Sequence, residues 1–370
     1  MNDYKLLVSL LVLLAISVFF MFAQETEHKP KLPQTQTSPA QSPKITVENA
    51  NLEYAFTKGK PIDYLFTSHT EANVFVKNLA DSSKDKRETY ILTADTLLRF
   101  YTVEELGAGA KLEISIREIA GSLRHGGKNL EFRITPNGMQ TNIDGKQDEE
   151  IKELDFWESG SWRSKAPESL NKPLAGFVIS NTGRISRAYT LTGTGKTGKK
   201  GAKKSLNFLQ NPLILANLIF FQLPEKTLNF RQKNGFPLAP KPVWKGTINF
   251  PFKSPFEFEP VNVIFELNKV GGYTVSKKTK TKGREKNKNK KADTKSAGEF
   301  VKVFSINCKI KHKDYKNWRI LAIFEFDTKH KLPKTVYYNI EREITQKPAK
   351  NREIKILQNT EYKFVLQNAR

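Results

Sequence analysis

The feature that most constrains the fold is an alternation of apolar and polar residues that begins at Leu52 and recurs along most of the chain. Short runs such as LEYAF, NVFV and KLEISIREI carry apolar residues at every second position, and Gly, Lys and Asp/Ser clusters separate them. Successive side chains of a strand point to opposite faces, so this period is typical of strands with one buried face. The pattern predicts a mainly β protein built on an antiparallel sheet.

Residues 211–222, NPLILANLIFFQ, interrupt this pattern and predict a helix. Asn211 can cap it, Pro212 suits the first helical position, and Pro224 ends it. Apolar side chains cover almost its whole circumference, so the helix must be buried nearly all round. We therefore expect a curved sheet or half-barrel, made of one or two sheet units, with this helix inside. The helix either fills the core or lines a cavity, and the candidate apolar-ligand residues are Leu215, Leu218, Phe220 and Phe221.

One local pattern occurs three times along the chain. Residues 132–138 and 177–183 each place an alternating strand before a polar turn that ends in Gly, and residues 324–330 form a weaker copy. A Gly at such a position favours a turn because it adopts positive φ at little cost. We expect the same hairpin to be reused within the antiparallel sheet.

Residues 6–23 form an uncharged apolar run of 18 residues close to the N-terminus. The run is long enough to cross a bilayer core, and its position is that of an export signal. Two outcomes stay open: a retained single-pass anchor, or a signal peptide that is removed. Met21 stands three residues from a cut after Ala23, where a small residue is preferred, so cleavage there is disfavoured. In both cases we expect an exported protein whose body is extracytoplasmic, in contact with the membrane through residues 6–23 if they are retained.

The segment after this run predicts a tether rather than a folded element. Residues 24–50 are rich in Pro, Gln, Thr and Ser, which cannot bury enough apolar area to fold, and we expect them to be disordered. The β-rich domain would then occupy residues 51–370. Its single cysteine, Cys308, excludes an intramolecular disulfide framework, so the fold must be held by its own core.

The net charge of +23 is concentrated in two predicted disordered loops, 193–204 and 276–298. Residues 277–291, called the lysine-rich tract below, contain nine Lys or Arg and one Glu. The tract lacks the aromatic residues that stack on bases, so no nucleic acid partner is expected. An anionic membrane surface or an anionic envelope polymer suits it better. The candidate residues for that contact are Lys277, Lys278, Lys280, Lys282, Arg284, Lys286, Lys288, Lys290 and Lys291.

Motifs that would indicate catalysis or a cofactor are incomplete. Gly193, Gly195 and Gly198 match G-x-G-x-x-G, but GKKGAKKS follows where a helix is required, and Thr190 occupies the position of the first phosphate-loop glycine. The acidic segment 144–158 lacks the spacing of a calcium loop, and the five histidines lack metal-ligand spacing. We therefore expect no cofactor, no metal and no enzymatic activity.

Several short motifs occur together in this chain. In chain order they are Leu52, Tyr54, Phe56 and Gly59, a strand–Gly–strand unit at 104–118, the repeated hairpins, the apolar helix leading to residues 223–225, and a turn into a strand at 240–246. The combination resembles exported bacterial β-rich proteins of unknown function, and it is similar to the curved half-barrel with an internal helix of periplasmic lipoprotein carriers. That resemblance implies an apolar cavity and no catalytic residues. The chain departs from it by its lysine-rich tract and by lacking a lipidation cysteine.

Three functions follow from these observations as alternatives. The first is a non-enzymatic cell-envelope binding or interaction protein. The second is a carrier of an apolar ligand, a lipid or a lipoprotein, in a half-barrel cavity. The third is a protein that holds an anionic polymer or membrane surface through the lysine-rich tract. The sequence does not determine an oligomeric state.

Overall fold

The computed structural model describes residues 45–135, 138–143, 146–147, 171–190, 213–254, 257–275, 299–310, 317–349 and 351–369. The predicted membrane segment, both predicted basic loops and most of the acidic segment lie outside these residues. None of the helices in the described part of the chain combines the length and apolar character that a membrane crossing requires.

The described residues form two antiparallel sheets and one short α-helix, α1 (Leu213–Ile219). The strands are β1 (Ile45–Ala50), β2 (Pro61–Asn78), β3 (Lys86–Leu106), β4 (Gly109–His125), β5 (Lys128–Thr135), β6 (Gly138–Ile143), β7 (Lys146–Gln147), β8 (Ala175–Ser180), β9 (Ile185–Thr190), β10 (Leu228–Lys233), β11 (Phe236–Pro237), β12 (Val243–Ser254), β13 (Glu257–Val275), β14 (Glu299–Ile310), β15 (Trp318–Asp327), β16 (Leu332–Ala349) and β17 (Arg352–Ala369).

The large sheet follows the chain as a meander. Its order is β12-β13-β14-β15-β16-β17-β2-β3-β4-β5-β6-β7, and β8 branches from β4 and pairs with β9. All but one of its neighbouring pairs along this path are consecutive in sequence; the exception, β17 with β2, joins the two halves of the chain. The path has two ends, β12 and β7, so the sheet is open. The small sheet has the order β1-β10-β11.

The large sheet curves around α1 and the residues that follow it. The ring of Phe220 lies 5.2 Å from that of Phe100 on β3, while the ring of Phe221 lies 5.7 Å from that of Phe265 on β13. β3 and β13 are six strands apart in the sheet order. At about 4.8 Å per strand they would be about 29 Å apart in a flat sheet. Adjacent residues reach both strands, so the sheet must bend. The prediction of a mainly β, antiparallel fold with one buried apolar helix is confirmed.

Two predicted boundaries differ from the structure. The predicted tether extends to residue 50, but residues 45–50 form β1, which pairs with β10 along its whole length. The predicted strand at 52–56 is not a strand. Leu52 and Tyr54 are buried there, yet the chain passes between two turns, where Tyr54 N–H donates to Asn181 and Ala55 N–H donates to Lys331. Residues 52–55 therefore alternate in burial although they pair with no strand.

The repeated pattern does form hairpins. β5 pairs with β6, β8 with β9, and β15 with β16. In the β8–β9 turn Gly183 has φ +85°, and its N–H donates to the carbonyl of Ser180 at 2.9 Å. A Cβ at Gly183 would lie 2.3 Å from the carbonyl oxygen of Phe221, so both the backbone angle and the packing require glycine. In the third hairpin Lys331 has the positive φ, at 54°.

Candidate functional site

The four predicted apolar-ligand residues lie in the core. Leu215, Leu218, Phe220 and Phe221 are each at most 2% exposed. Phe220 packs edge-on against the aromatic rings of three elements of the fold, at centroid distances of 5.2 to 6.4 Å. Protein side chains therefore account for the burial of this segment. The rings that surround Phe220 are those of Tyr54, Phe56, Tyr64, Phe100 and Phe177.

Aromatic side chains hold the end of α1 in place. The last carbonyl groups of a helix have no intrahelical partner, and buried ones must find donors elsewhere. The hydroxyl of Tyr338 donates to the carbonyl of Leu218 at 2.8 Å, and that of Tyr54 donates to Phe221 at 2.9 Å. Trp244 Nε1 donates to the carbonyl of Gln222 at 2.9 Å. Burial raises the pKa of both tyrosines well above 10, so both remain donors at neutral pH.

The inner face of the large sheet, defined as the face that contacts α1, continues beyond the helix. On β2 it carries Ile62, Tyr64 and Phe66, and farther along Ala72 and Val74. The second group belongs to an apolar cluster separate from the one that contains α1. We call this cluster the distal zone. Its buried members are Ala72, Val74, Tyr90, Leu92, Ile354 and Ile356.

A belt of buried polar side chains separates the two apolar clusters on the inner face. Thr70 on β2 and Thr360 on β17 share a hydrogen bond of 3.0 Å between their hydroxyls. The amide of Gln358 donates to the Thr360 hydroxyl at 3.4 Å, and Ser68 lies beside them. We call this group the polar belt. It supplies hydroxyl and amide groups inside an otherwise apolar surface.

Arg342 adds a positive charge at the edge of the polar belt. Its Nε donates to Gln358 Oε1 at 2.6 Å, and its guanidinium lies 5.0 Å from the centre of the Trp318 ring. Burial lowers the pKa of Arg342 to about 10. The side chain is therefore still charged at neutral pH, in a setting where charge is costly unless it is well solvated by neighbours.

A groove of about 490 Å³ opens near Arg342. Most of its lining residues lie on the outer face of the sheet, opposite the inner face, as the register of β2, β16 and β17 shows. Carboxylates, amides and Arg319, which is exposed, make up most of its lining. Its main lining residues are Glu71, Asn73, Arg319, Glu341, Glu343 and Asn359.

Asp327 forms a polar cluster that the sequence did not reveal. Its carboxylate accepts hydrogen bonds from the Tyr273 hydroxyl at 2.7 Å, from the backbone N–H of Lys329 at 2.8 Å, and from that of His330 at 3.2 Å. The His330 ring lies 3.0 Å away through Nδ1. Burial alone would raise the pKa of Asp327, but the hydrogen bonds together hold it below its usual value. The carboxylate thus joins the β15–β16 turn to β13 by hydrogen bonds.

No metal-binding group of three or more His, Cys, Asp or Glu occurs among the described residues. Cys308 is buried on β14, and burial raises the pKa of its thiol to about 12. The nine basic residues of the lysine-rich tract lie outside the described part of the chain. Only the ends of the surrounding strands, at Val275 and Glu299, are placed.

Similarity to known proteins is found only among solved structures. No family model matches the chain, and no curated protein matches it. Among solved structures, one titled "Lipid-protein interactions in lipovitellin" has 11% identity and a TM-score of 0.35; it covers 85% of this chain, and the chain spans only 26% of that protein. A mutant of the TodX monoaromatic hydrocarbon channel has 7% identity and a TM-score of 0.17. The match covers 84% of this chain and 91% of the channel. Scores this low carry no argument about function.

Proposed function

We propose that the protein is a non-enzymatic, extracytoplasmic cell-envelope protein that binds an apolar ligand, a lipid or the lipid part of a lipoprotein, on the inner face of a half-barrel sheet. The observation that carries the proposal is the distal zone. The inner face has more apolar surface than α1 occupies, because α1 packs on β8, β12 and β16 while the distal zone lies on β2, β3 and β17.

The neighbours of the distal zone support this assignment. The partly buried apolar residues that pack against it, Val76, Ala94, Leu123 and Ile344, all belong to the same sheet. The buried residues of the distal zone are at most 7% exposed, and an apolar lining with a few fixed polar groups is the usual character of a small-molecule site. The hydroxyl and amide groups of the polar belt suit the ester or head-group oxygens of an amphipathic ligand whose chains lie on the distal zone.

Ligand retention can be tested by filling the distal zone. The full-length Ile356→Trp variant places a large ring on the inner face, whereas Leu357→Trp places the same ring on the outer face one residue later. Each protein would be purified from membranes, and its lipids extracted and identified by mass spectrometry. Lipid held by residues 6–23 contributes equally to both variants.

The expected result is a discrete lipid species in the wild type and in Leu357→Trp that is lost in Ile356→Trp, with unfolding temperatures showing that both variants fold. Equal lipid in all three proteins, or none in the wild type, would contradict the proposal. A folded Ile356→Trp variant that keeps its lipid would place that lipid elsewhere.

We also infer an electrostatic contact through the lysine-rich tract. The strand ends that flank the tract, Val275 and Glu299, are paired with each other. Three residues after Glu299, Lys302 Nζ binds Glu48 of β1 at 2.6 Å. The placed strand end that follows the tract therefore lies close to β1, the strand that follows the predicted tether. Each Lys or Arg near an anionic membrane contributes about 1 kcal/mol to binding.

The tract can be tested with a full-length variant in which its nine basic residues are replaced by Gln. Its adsorption to an anionic envelope polymer or to vesicles that contain phosphatidylglycerol should be weaker and less dependent on salt than that of the wild type. Equal adsorption over a range of salt concentrations would contradict this second function.

A further inference from the structure

The outer face of the small sheet places apolar and basic side chains in regular alternation. Register pairing sets Ile45 of β1 opposite Lys233 of β10, and Lys233 opposite Phe236 of β11. The next row pairs Val47 with Arg231. Directly paired residues of neighbouring strands share a face. We call these five residues the small-sheet face.

The apolar side chains of the small-sheet face are well exposed. Val47 is 73% exposed, Phe236 is 52% exposed and Ile45 is 46% exposed. Lys269 on β13 extends over the Phe236 ring, with its Nζ 5.4 Å from the ring centre. Single exposed apolar residues are common on soluble surfaces, but three on one small face that is also basic indicate an interaction surface.

The charge of this face has one sign. β1, β10 and β11 are fully described, and the only acid on them is Glu48. Glu48 points to the opposite side of the sheet, where it accepts from Lys302 and from the amide of Gln232. Arg231 and Lys233 are exposed on the small-sheet face itself, and Lys269 adds a third positive charge. An anionic partner with an apolar layer fits this composition.

The position of β1 in the chain favours a membrane as this partner. Residues 24–44, 21 in number, separate Ile45 from the predicted membrane segment 6–23. A flexible chain of that length spans about 25 Å on average and at most about 70 Å. β1 is therefore the first strand of the fold after the predicted membrane segment, and its exposed face has the apolar and basic residues that bind anionic interfaces.

We propose that the small-sheet face docks onto an anionic membrane surface, with Val47, Ile45 and Phe236 inserted at the head-group boundary and Arg231, Lys233 and Lys269 beside lipid phosphates. The docking rests on the proposed extracytoplasmic placement and not on ligand binding at the distal zone. It orients the inner face relative to the membrane, because the small sheet is attached to β14 through Glu48–Lys302 and to β13 through the hydrogen bond from Val270 N–H to the Gly235 carbonyl.

The test uses the full chain in lipid nanodiscs. A bimane label on Val47→Cys would report contact with brominated lipid by fluorescence quenching, since Cys308 is buried and does not compete for the label. The matched control is Leu79→Cys, which is 57% exposed and follows the far end of β2. That end lies about 55 Å along the strand from Pro61, at roughly 3.3 Å per residue. Nanodiscs of phosphatidylcholine alone would be compared with nanodiscs containing phosphatidylglycerol.

Docking predicts quenching at position 47 and not at position 79, and stronger quenching with phosphatidylglycerol. Arg231→Glu with Lys233→Glu should reduce the docked fraction at least about tenfold without changing the unfolding temperature. Absence of quenching at position 47 in both lipids would overturn the proposal, as would equal quenching in the charge-reversed protein. Cross-linking between two copies at position 47 without quenching would assign the face to a dimer and overturn it too. Ile356→Trp should leave the quenching unchanged, which separates this result from failure of the proposed ligand site.

Discussion

The hydroxyl of Tyr54 donates a hydrogen bond of 2.9 Å to the carbonyl oxygen of Phe221, across 167 residues of sequence. Tyr54 belongs to the segment between β1 and β2, and Phe221 follows α1. The two rings also meet edge-on, with centroids 6.4 Å apart. This single contact fixes the end of the internal helix to the segment that connects the small sheet to the large one.

Tyr54→Phe tests the hydrogen bond without removing the ring. The carbonyl of Phe221 would remain buried without its donor, and the free energy of unfolding should fall by about 1–3 kcal/mol. Tyr101→Phe removes a hydroxyl from an exposed ring and should change stability little. Urea unfolding of both variants measures the difference, and equal stability of Tyr54→Phe and wild type would show that the hydroxyl is not needed.

Gly183→Ala tests the close approach of the β8–β9 turn to the end of α1. The new Cβ would lie 2.3 Å from the Phe221 carbonyl oxygen and 2.7 Å from a ring carbon of Tyr54. Gly126 also has positive φ, at 58°, but a Cβ there meets nothing within 4 Å. Gly126→Ala should cost about 1 kcal/mol from its backbone alone. Gly183→Ala should cost clearly more in a thermal unfolding comparison; equal costs would mean that packing at the turn is loose.

Phe220→Ala tests whether the helix segment fills the curved sheet. Removal of a large buried ring from an aromatic cluster should lower the free energy of unfolding by about 3–5 kcal/mol. Phe300→Ala provides the matched control, since that ring is 61% exposed and should contribute little. Chemical unfolding of both variants decides the question. A small loss at Phe220 would indicate that the space around it is not filled by protein.

The sequence predicted the strands well but misjudged their lengths, and the polar belt explains why. Residues 63–68 and 73–76 predict two strands, yet both lie in β2, which runs without a break. Likewise residues 354–357 and 362–366 indicate two strands from their sequence, yet both lie in β17. Thr70 and Thr360 occupy inner-face positions between the apolar runs, so a polar residue stands where the alternation would need an apolar one. Both can be buried there because their hydroxyls bond to each other across the two strands. Local patterns cannot show a partner 290 residues away.

The candidate site was predicted only in part for the same reason. Burial of the apolar helix residues follows from their distribution around the whole circumference of the helix, and they are buried in the structure. The distal zone requires knowledge that β17 pairs with β2, which no short motif indicates. β1 was not predicted because its apolar residue Val47 faces solvent, so the apolar positions of this strand do not mark its buried face. Asp327 was missed because its main side-chain partner, Tyr273, lies on another hairpin.

Buried tyrosines should make the fold sensitive to alkali. Burial raises the pKa of Tyr54, Tyr64 and Tyr338 well above 10, whereas the same hydroxyls ionise near 10 in the unfolded chain. Their contribution is complete below pH 10 and is lost as the pH rises towards the folded-state pKa values, by about 1.4 kcal/mol per pH unit for each tyrosine. Urea unfolding from pH 8 to 11, with tyrosinate absorbance, should show this decline. The slope should be smaller in Tyr338→Phe, and an unchanged slope would contradict the assignment.

Asp327→Asn tests at acid pH the hydrogen bonds that the Asp327 carboxylate accepts. The folded-state pKa of Asp327 is below the ordinary 3.8, so its contribution is present above that value and is lost as the pH falls through the folded-state pKa. The variant should be about 1–3 kcal/mol less stable than the wild type at pH 7, because charged acceptors form the stronger hydrogen bonds to Tyr273 and His330. The difference should narrow below pH 3.8, since protonation weakens the same bonds in the wild type. Asp95→Asn changes an exposed carboxylate and should leave the acid profile unaltered. A gap between Asp327→Asn and wild type that stays constant from pH 7 to pH 3 would mean that the side chain acts through its shape rather than its charge.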